Sequence, residues 1–530
     1  MTSSTRSTRR SLVAILLAAV VIQAGLAIAF GWVGDDAFIA FRYARNLAEG
    51  QGLRFNPGVE PPVEGDTQLG WILVAALVER VGLPVVAATR AVEIAVGLVL
   101  LVLVARRAQR RGGTPAALAA ALFLATSPGI VVWSSGGLGT ILFATTIFLV
   151  VDFAVAERPS SSGARSRLLG ATCAAIAVTV VRFDGAYFAG WALLAVLVAG
   201  LLTRSRELRR IAVVAGVVTL LAIAAQSAWR LSYHGDWLPY TARAKVAFSP
   251  WVAERGLRYV LVNWLNVPAT AIATLLLVLP SLRSSSRSED AWRTVASIVV
   301  VASLTYCIAV GGDFMAMGRF LLPTLPFLAI AAGDAVAALV HRGRTGTATF
   351  GVAALLCGSL PVLFGAVYTP ESLRRALDFR YGHPYETELE FLRGDADRAT
   401  FWSEIGRALA LHTDPSESLV RGPIGAVGYY SRLTIFDQFG LVDREVALHD
   451  PRGTERKALP GHDLFADPTF FAERNPTYLL ADLYFGIVET SPEDQAMLKN
   501  PYFATGKVEL FQVRKADGFY DDGTLVLVRC

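Results

Sequence analysis

Residues 12–50 read LVAILLAAVVIQAGLAIAFGWVGDDAFIAFRYARNLAEG. The first half, Leu12 to Phe30, is almost uninterrupted apolar sequence, and at about 1.5 Å per residue it is long enough to cross a hydrocarbon core of about 30 Å. The second half changes character. Asp35 and Asp36 open a stretch in which Phe38, Phe41 and Leu47 recur against Arg42, Arg45 and Glu49 at helical spacing, the pattern of an amphipathic helix lying at a membrane surface. No small-residue cleavage site follows the apolar run, so it reads as a retained first helix rather than a removed signal peptide. Arg6, Arg9 and Arg10 before it place the N-terminus in the cytoplasm.

The same alternation of apolar block and polar turn continues along the chain. Of its 530 residues 54% are hydrophobic and 18% charged, against about 25% charged in soluble domains, and the mean hydropathy is +0.47. An ordinary soluble enzyme is excluded. Apolar blocks follow at 85–105, 115–133, 140–156, 168–183, 187–202, 211–230, 264–281, 293–310, 319–340 and 346–367, which with the first helix predict about eleven spans. Thr67 to Val81 is apolar too, but a crossing there would put the Arg106 to Arg111 cluster outside, so it reads as a juxtamembrane helix. Alternate loops then carry Arg106 to Arg111, Arg158 to Arg167, Arg204 to Arg210, Arg283 to Arg293 and His341 to Arg344, the mark of the cytoplasmic side. The intervening turns, Gly34-Asp35-Asp36, Ser134 to Thr140, Arg182 to Gly185, His234-Gly235-Asp236 and Gly311-Gly312-Asp313, face outward. The arginines lie between apolar blocks rather than along aromatic stripes, so they read as topology determinants and no nucleic-acid partner is expected. Cys173, Cys307, Cys357 and Cys530 form no disulfide or zinc framework.

Near Thr369 the apolar runs shorten and Pro, Gly and Asp return. The expected division is a membrane domain, 1–368, with a first outer loop at 31–84, and a small extracytoplasmic α/β domain, 369–530. In the latter, Ser418 to Tyr430, Pro476 to Tyr484 and Thr524 to Val528 read as strands, and Thr387 to Leu392 and Trp402 to Leu411 as helical.

One aspartate can cap a helix and complement its dipole, but a single cap does not need two. A carboxylate near a hydrophobic wall at the bilayer surface has a raised pKa and can take the proton of an incoming hydroxyl, which suits Asp35 or Asp36 to general-base work. Asp184 follows Arg182, Asp313 precedes Arg319, and Arg243 and Lys245 follow the outer His234 to Pro239 turn. Each pair alone is a local salt bridge. Together they put several acids and bases at one membrane face, where an unpaired charge near the core costs about 2.5–3.5 kcal/mol, so a shared charged cavity opening outward is the economical reading. Such a cavity would seat a lipid phosphate on arginine or lysine, beside a carboxylate facing a second substrate, as transfer from a polyprenyl-phosphate carrier requires.

Several motifs carry a resemblance. They are Asp35-Asp36 followed by Arg42-Tyr43-Ala44-Arg45-Asn46-Leu47, Gly50-Gln51-Gly52-Leu53-Arg54-Phe55-Asn56-Pro57-Gly58, Val63-Glu64-Gly65-Asp66-Thr67 with Trp71, and Ser135-Gly136-Gly137-Leu138. Later come Arg182-Phe183-Asp184-Gly185, Tyr233 to Pro239, Gly311 to Met315 with Arg319-Phe320, and Gly425 to Ser431 with Asp437, Gly440 and Leu441. In this order they resemble the integral-membrane glycosyltransferases of the C-type fold (GT-C) that use polyprenyl-phosphate sugars, nearest the branch with the mycobacterial terminal arabinofuranosyltransferase. The resemblance implies inverting transfer with Asp36, or Asp35 in second place, as base, the leaving phosphate being stabilised by Arg42, Arg243, Lys245 or Arg319. It also implies substrate contacts from Arg45, Glu64, Arg182 and His234, with Asp184 and Asp313 holding sugar hydroxyls or orienting the bases. Alternatively, Asp35 and Asp36 would hold a divalent metal ion. The expected partners are a polyprenyl-phosphate-linked sugar donor, arabinofuranose being the sugar of that branch, a cell-envelope glycan or lipid acceptor, and the bilayer of a bacterial plasma membrane. The chain departs from the family at Gly139, where a glutamate is usual, and at Asp66, where an aromatic residue is usual. Two rival readings stand beside it. A flippase for lipid-linked sugars would place its charges at mid-membrane on broken helices in matching halves, and a membrane-anchored regulatory protein would carry its function in the tail.

Overall fold

The computed structural model describes residues 3–155, 163–245, 249–283, 290–381, 387–448, 459–462, 464–485 and 507–530. Helix α1 (Ser3–Ala29) leads into α2 (Asp35–Ala48) and α3 (Leu69–Arg80), then α4 (Val85–Ala125), α5 (Pro128–Trp133), α6 (Thr140–Ala154), α7 (Ala164–Val181), α8 (Gly185–Leu202) and α9 (Arg206–His234). After the short α10 (Tyr240–Lys245) come α11 (Pro250–Asn266), α12 (Pro268–Arg283), α13 (Ala291–Ala309), a 3-10 segment (Ala316–Thr324), α14 (Leu325–His341) and α15 (Thr345–Cys357).

Seven described helices are long and apolar enough to cross a membrane, or up to eight when α11 and α12, bent by 106° at their junction, count as one span. Two shorter apolar helices, Val13–Ala29 and Thr140–Ala154, fall on expected spans. The expected blocks 85–105 and 115–133 share the long α4. Its backbone breaks at Gly113 (φ 72°, ψ −163°) just before Pro115, so one nominal helix contains two limbs. The second limb stops at Ala125, and α5 starts afresh at Pro128, whose ring nitrogen cannot continue a ladder of hydrogen bonds. At 12 residues, about 18 Å, α3 is too short to cross. The basic loops 156–162 and 284–289 lie outside the described residues. Of the expected cytoplasmic arginines, Arg111 is held between Asp290 and Asp334, at 2.8 Å from each.

Helix α2 differs from the surface-lying helix expected of its pattern. Nine of its side chains, Arg42 among them, are buried. The charged face that reads as solvated is covered by the C-terminal part of the chain.

That part contains α16 (Glu371–Ala376), α17 (Glu388–His412), α18 (Gly425–Ser431), α19 (Arg444–Leu448) and a five-stranded sheet. The strands are β1 (Ser418–Arg421), β2 (Thr434–Asp437), β3 (Tyr478–Phe485), β4 (Lys507–Val513) and β5 (Gly523–Arg529), in the order β2-β1-β3-β5-β4. β1 pairs parallel with β2 and β3, while β5 runs antiparallel to β3 and β4. The two helical pieces expected at 387–392 and 402–411 are one helix, α17, opened by a capping box between Thr387 and Glu390. The strand expected over Ser418 to Tyr430 ends at Arg421, and its second half is α18. One apolar core runs from the membrane helices through Phe41 and Trp71 to Ala426, Val427 and Leu525, so the sheet is packed onto the helices rather than tethered to them.

Candidate active site

Gly34, in extended conformation, precedes the first turn of α2 and makes no side-chain cap, and neither aspartate caps its own helix. Asp35 instead reaches the N-terminus of α18, its carboxylate accepting hydrogen bonds from Gly425 N at 3.1 Å and Ala426 N at 2.7 Å. Burial pushes its carboxyl up to about 7, with the Asp36 charge adding to the rise, while the Ala426 and Gly425 N–H groups and Arg421 pull it down. Asp36, one residue on and so about 100° around the helix, lines a cavity of about 700 Å³. Among the described residues it has no hydrogen-bond donor or ion-pair partner.

The cavity gathers five of the expected outer segments. Asp36, Leu138, Arg182 with Asp184, Leu238 and Gly312 to Phe314 all line it, together with Leu441, Leu448 and Gly461 of the C-terminal part. Its lining holds both members of two arginine–aspartate pairs and the arginine of a third. Arg182 donates to Asp184 at 2.9 and 2.7 Å, and the Tyr306 hydroxyl donates to the same carboxylate at 2.6 Å. Arg319 donates to Asp313 at 2.8 and 2.9 Å, and Arg243 to Asp236 at 2.8 Å twice. The local-pair and shared-cavity readings of the sequence therefore hold together. The aspartates fix the guanidiniums, and aromatic rings support them: Arg182 lies over Phe143 at 4.7 Å, Arg319 over Trp133 at 5.4 Å, and Phe320 stands between the two at 5.7 and 5.1 Å. Nη1 of Arg182 and of Arg319 has no partner among the described residues. A fixed, partly unsatisfied guanidinium fork suits a bidentate anion such as a phosphate.

Four other residues singled out in the sequence lie away from the cavity lining. Arg42 donates to the carbonyls of Phe55 (2.7 Å), Gly428 (2.7 Å) and Leu433 (2.6 Å) and stacks on Phe55. Arg45 donates to the carbonyl of Tyr429 and lies over its ring at 4.0 Å. Both thus grip the C-terminal end of α18, whose N-terminus Asp35 holds, so charge of each sign meets the helix end it complements. Glu64 forms a buried pair with Arg230 of α9, at 3.0 Å through both oxygens, and burial raises its carboxyl despite Arg230. His234 Nδ1 lies 2.8 Å from the Pro62 carbonyl. The Lys245 side chain lies outside the described residues.

Tyr306, Phe320, Asp66 and Thr241 also line the cavity. Tyr306 was hidden in an apolar span, and its position five residues before Gly311, where a span meets its turn, is the one local signal it carries. Asp66 turns an oxygen to its own loop, accepting from Gln68 N at 2.7 Å. At Gly139 the backbone is left-handed (φ 60°), and a Cβ would stand 2.9 Å from Cγ of Trp71, so the glutamate usual in that motif has no room. A carboxylate reaches the turn from elsewhere, as Glu93 of α4 accepts from Gly137 N at 2.8 Å. Asp35 turns to the N-terminus of α18 while Asp36 lines the cavity, and among the described residues no group of three or more His, Cys, Asp or Glu is placed to hold a metal ion.

A family model described as a domain of unknown function (DUF8728) matches residues 385–520. No curated protein matches. Among solved structures, the chain is similar to ArnT from Cupriavidus metallidurans bound to undecaprenyl phosphate, with 16% identity and a TM-score of 0.61 over 98% of this chain and 97% of that one. It is also similar to the archaeal oligosaccharyltransferase AglB from Archaeoglobus fulgidus in complex with an inhibitory peptide and a dolichol-phosphate, with 11% identity and a TM-score of 0.58 over 89% of this chain and 69% of that one. At these identities the likeness establishes the fold, the polytopic GT-C architecture with a small C-terminal sheet.

Proposed function

We propose that this chain transfers a sugar from a polyprenyl-phosphate donor to a hydroxyl of a cell-envelope glycan or lipid at the outer face of a bacterial plasma membrane. The observation that carries the reading is the cavity itself: Asp36, with no hydrogen-bond donor or ion-pair partner among the described residues, shares it with Arg182 and Arg319, each fixed by its own aspartate. The fold supports it, being shared with one protein described as bound to undecaprenyl phosphate and another in complex with a dolichol-phosphate.

In this reading Asp36 accepts the proton of the acceptor hydroxyl as its oxygen bonds to the anomeric carbon. The bond from that carbon to the phosphate oxygen breaks, and the lipid phosphate leaves with the bonding pair, its charge met by Nη1 of Arg182 and Arg319. Attack opposite the leaving group inverts the anomeric centre. Asp184 and Asp313 orient these guanidiniums, and Arg243, paired with Asp236, also lines the cavity.

The test is transfer in nanodiscs with a panel of polyprenyl-phosphate sugars, decaprenyl-phosphate arabinofuranose first because the motifs resemble that branch, comparing the native chain with Asp36→Asn. Turnover with an inverted product that disappears in the variant while donor binding persists is the expected result. Equal turnover by both proteins defeats the base assignment. Selective labelling that finds Asp36 accessible only from the cytosol defeats the outer-face placement.

A further inference from the structure

The loop carrying Arg319 is held from outside the membrane helices. From Gly311 to Gly318 the chain takes an unusual path: Gly311 and Gly312 have φ of 81° and 78°, and Met317 and Gly318 are both left-handed, at 60° and 66°. A non-glycine residue rarely sits there unless its surroundings over-determine it. Those surroundings are specific. From the membrane side, Trp133 Nε1 donates to the Ala316 carbonyl at 3.1 Å, and Asn263 stands so close that a Cβ on Gly318 would meet its Oδ1 at 2.5 Å. From the C-terminal part, Arg380 donates to the carbonyls of Phe314 (2.8 Å) and Met315 (3.2 Å). The same guanidinium pairs with Glu388 at 2.8 and 3.2 Å, and Glu388 Oε2 accepts from Met317 N at 2.7 Å. An ion pair thus satisfies three backbone groups of a strained loop and ends two residues before Arg319, which faces the cavity on its Asp313 support.

We propose that Arg380 and Glu388 are positioning residues for the donor phosphate, bracing the 314–317 backbone so that Arg319 presents its guanidinium to the anion. The inference rests on the function proposed above. It gives the C-terminal part a role in donor recognition, since Glu388, the first residue of α17, lies within the segment that matches a domain of unknown function.

The experiment uses the full-length chain in nanodiscs and two probes that differ only in the anion, undecaprenyl phosphate and undecaprenol. The native protein should prefer the phosphate. Glu388→Ala and Arg380→Met should lose about tenfold of affinity for undecaprenyl phosphate with undecaprenol binding unchanged, because only the guanidinium contact is misplaced. Glu388→Gln, which still accepts from Met317 N but no longer pairs its charge, should fall between and serves if the alanine variant does not fold. General loss of structure would lower both affinities together, and that outcome overturns the proposal. So does an undiminished phosphate preference in a folded Glu388→Ala or Glu388→Gln protein. If the native chain itself binds the two probes equally, the donor reading of the cavity fails instead.

Discussion

Two sides of one short helix use the same residue types for opposite ends. On the side of α2 that faces α18, Asp35, Arg42 and Arg45 saturate backbone groups of a neighbour about 390 residues away, and Arg42 is 1% exposed. On the side that faces the cavity, Asp36 lines open space shared with guanidiniums that already have carboxylate partners. A charge that satisfies buried backbone groups is a fastener, whereas one left without a partner beside a cavity can bind or exchange protons. The sharpest way to break this contrast is to neutralise the two aspartates in turn. Asp36→Asn should lower transfer by about 10³-fold at unchanged donor affinity, the scale of a lost general base. Asp35→Asn should leave turnover within about tenfold, because its amide oxygen still accepts one of the two α18 N–H groups. Single-turnover rates on both variants decide it, and equal losses would erase the distinction.

The arginines offer the second comparison. Arg42→Met removes a charged donor from three buried carbonyls and should destabilise the protein by about 3 kcal/mol, read as a lower melting temperature in detergent. Arg182→Met, in the cavity wall, should weaken donor binding with a smaller change in melting. If both variants lose stability alike, the cavity arginines are fasteners too.

The sequence distinguishes such cases only in part. The apolar blocks, the alternation of basic and acidic turns and the change in character near Thr369 are carried by local composition, which is why most of the apolar helices and the convergence of the acid-bearing turns on one cavity are foreseeable, although seven or eight described helices rather than about eleven are long and apolar enough to cross. What α2 packs against is not local. Its arginines at helical spacing read as a solvated face because nothing nearby says that α18 covers them. The segment around α18, with Ile424, Ala426, Val427, Tyr429 and Tyr430 in close succession, reads as strand, since the carboxylate that caps the helix comes from α2, 391 residues earlier. Arg380, between recognisable blocks, and Glu388, inside the expected helix at 387–392, give no local sign that they meet 314–317.

Gly139 gives a third contrast, between the motif as usually written and the space available here. Gly139→Glu restores the usual acid but forces a side chain into a left-handed position against Trp71, whose Nε1 donates to Gly137 at 2.8 Å. A loss of about 2 kcal/mol of stability, with no gain in turnover, is expected. A stable variant with raised activity would mean that the turn can yield and that Glu93 does not stand in for the missing acid.

A last comparison separates the faces of α2 by pH. Asp35 titrates near 7 in the folded chain against 3.8 for an unperturbed aspartate, because burial disfavours its charged form. Between those values the folded protein binds the extra proton. The stabilisation this brings is complete below 3.8 and is lost as pH rises through about 7, with a slope of at most ~1.4 kcal/mol per pH unit. Other buried acids, Asp437 at about 7 and Asp395 at about 6, contribute with the same sign in the same window. Melting temperatures of the native chain alone cannot isolate Asp35, but the difference between the native chain and Asp35→Asn can. The native chain should lose stability relative to Asp35→Asn as pH rises from about 4.5 to 7.5, because only the native side chain acquires a desolvated charge. Parallel melting curves would mean that Asp35 keeps an ordinary carboxylate pKa, with water reaching the α2–α18 contact.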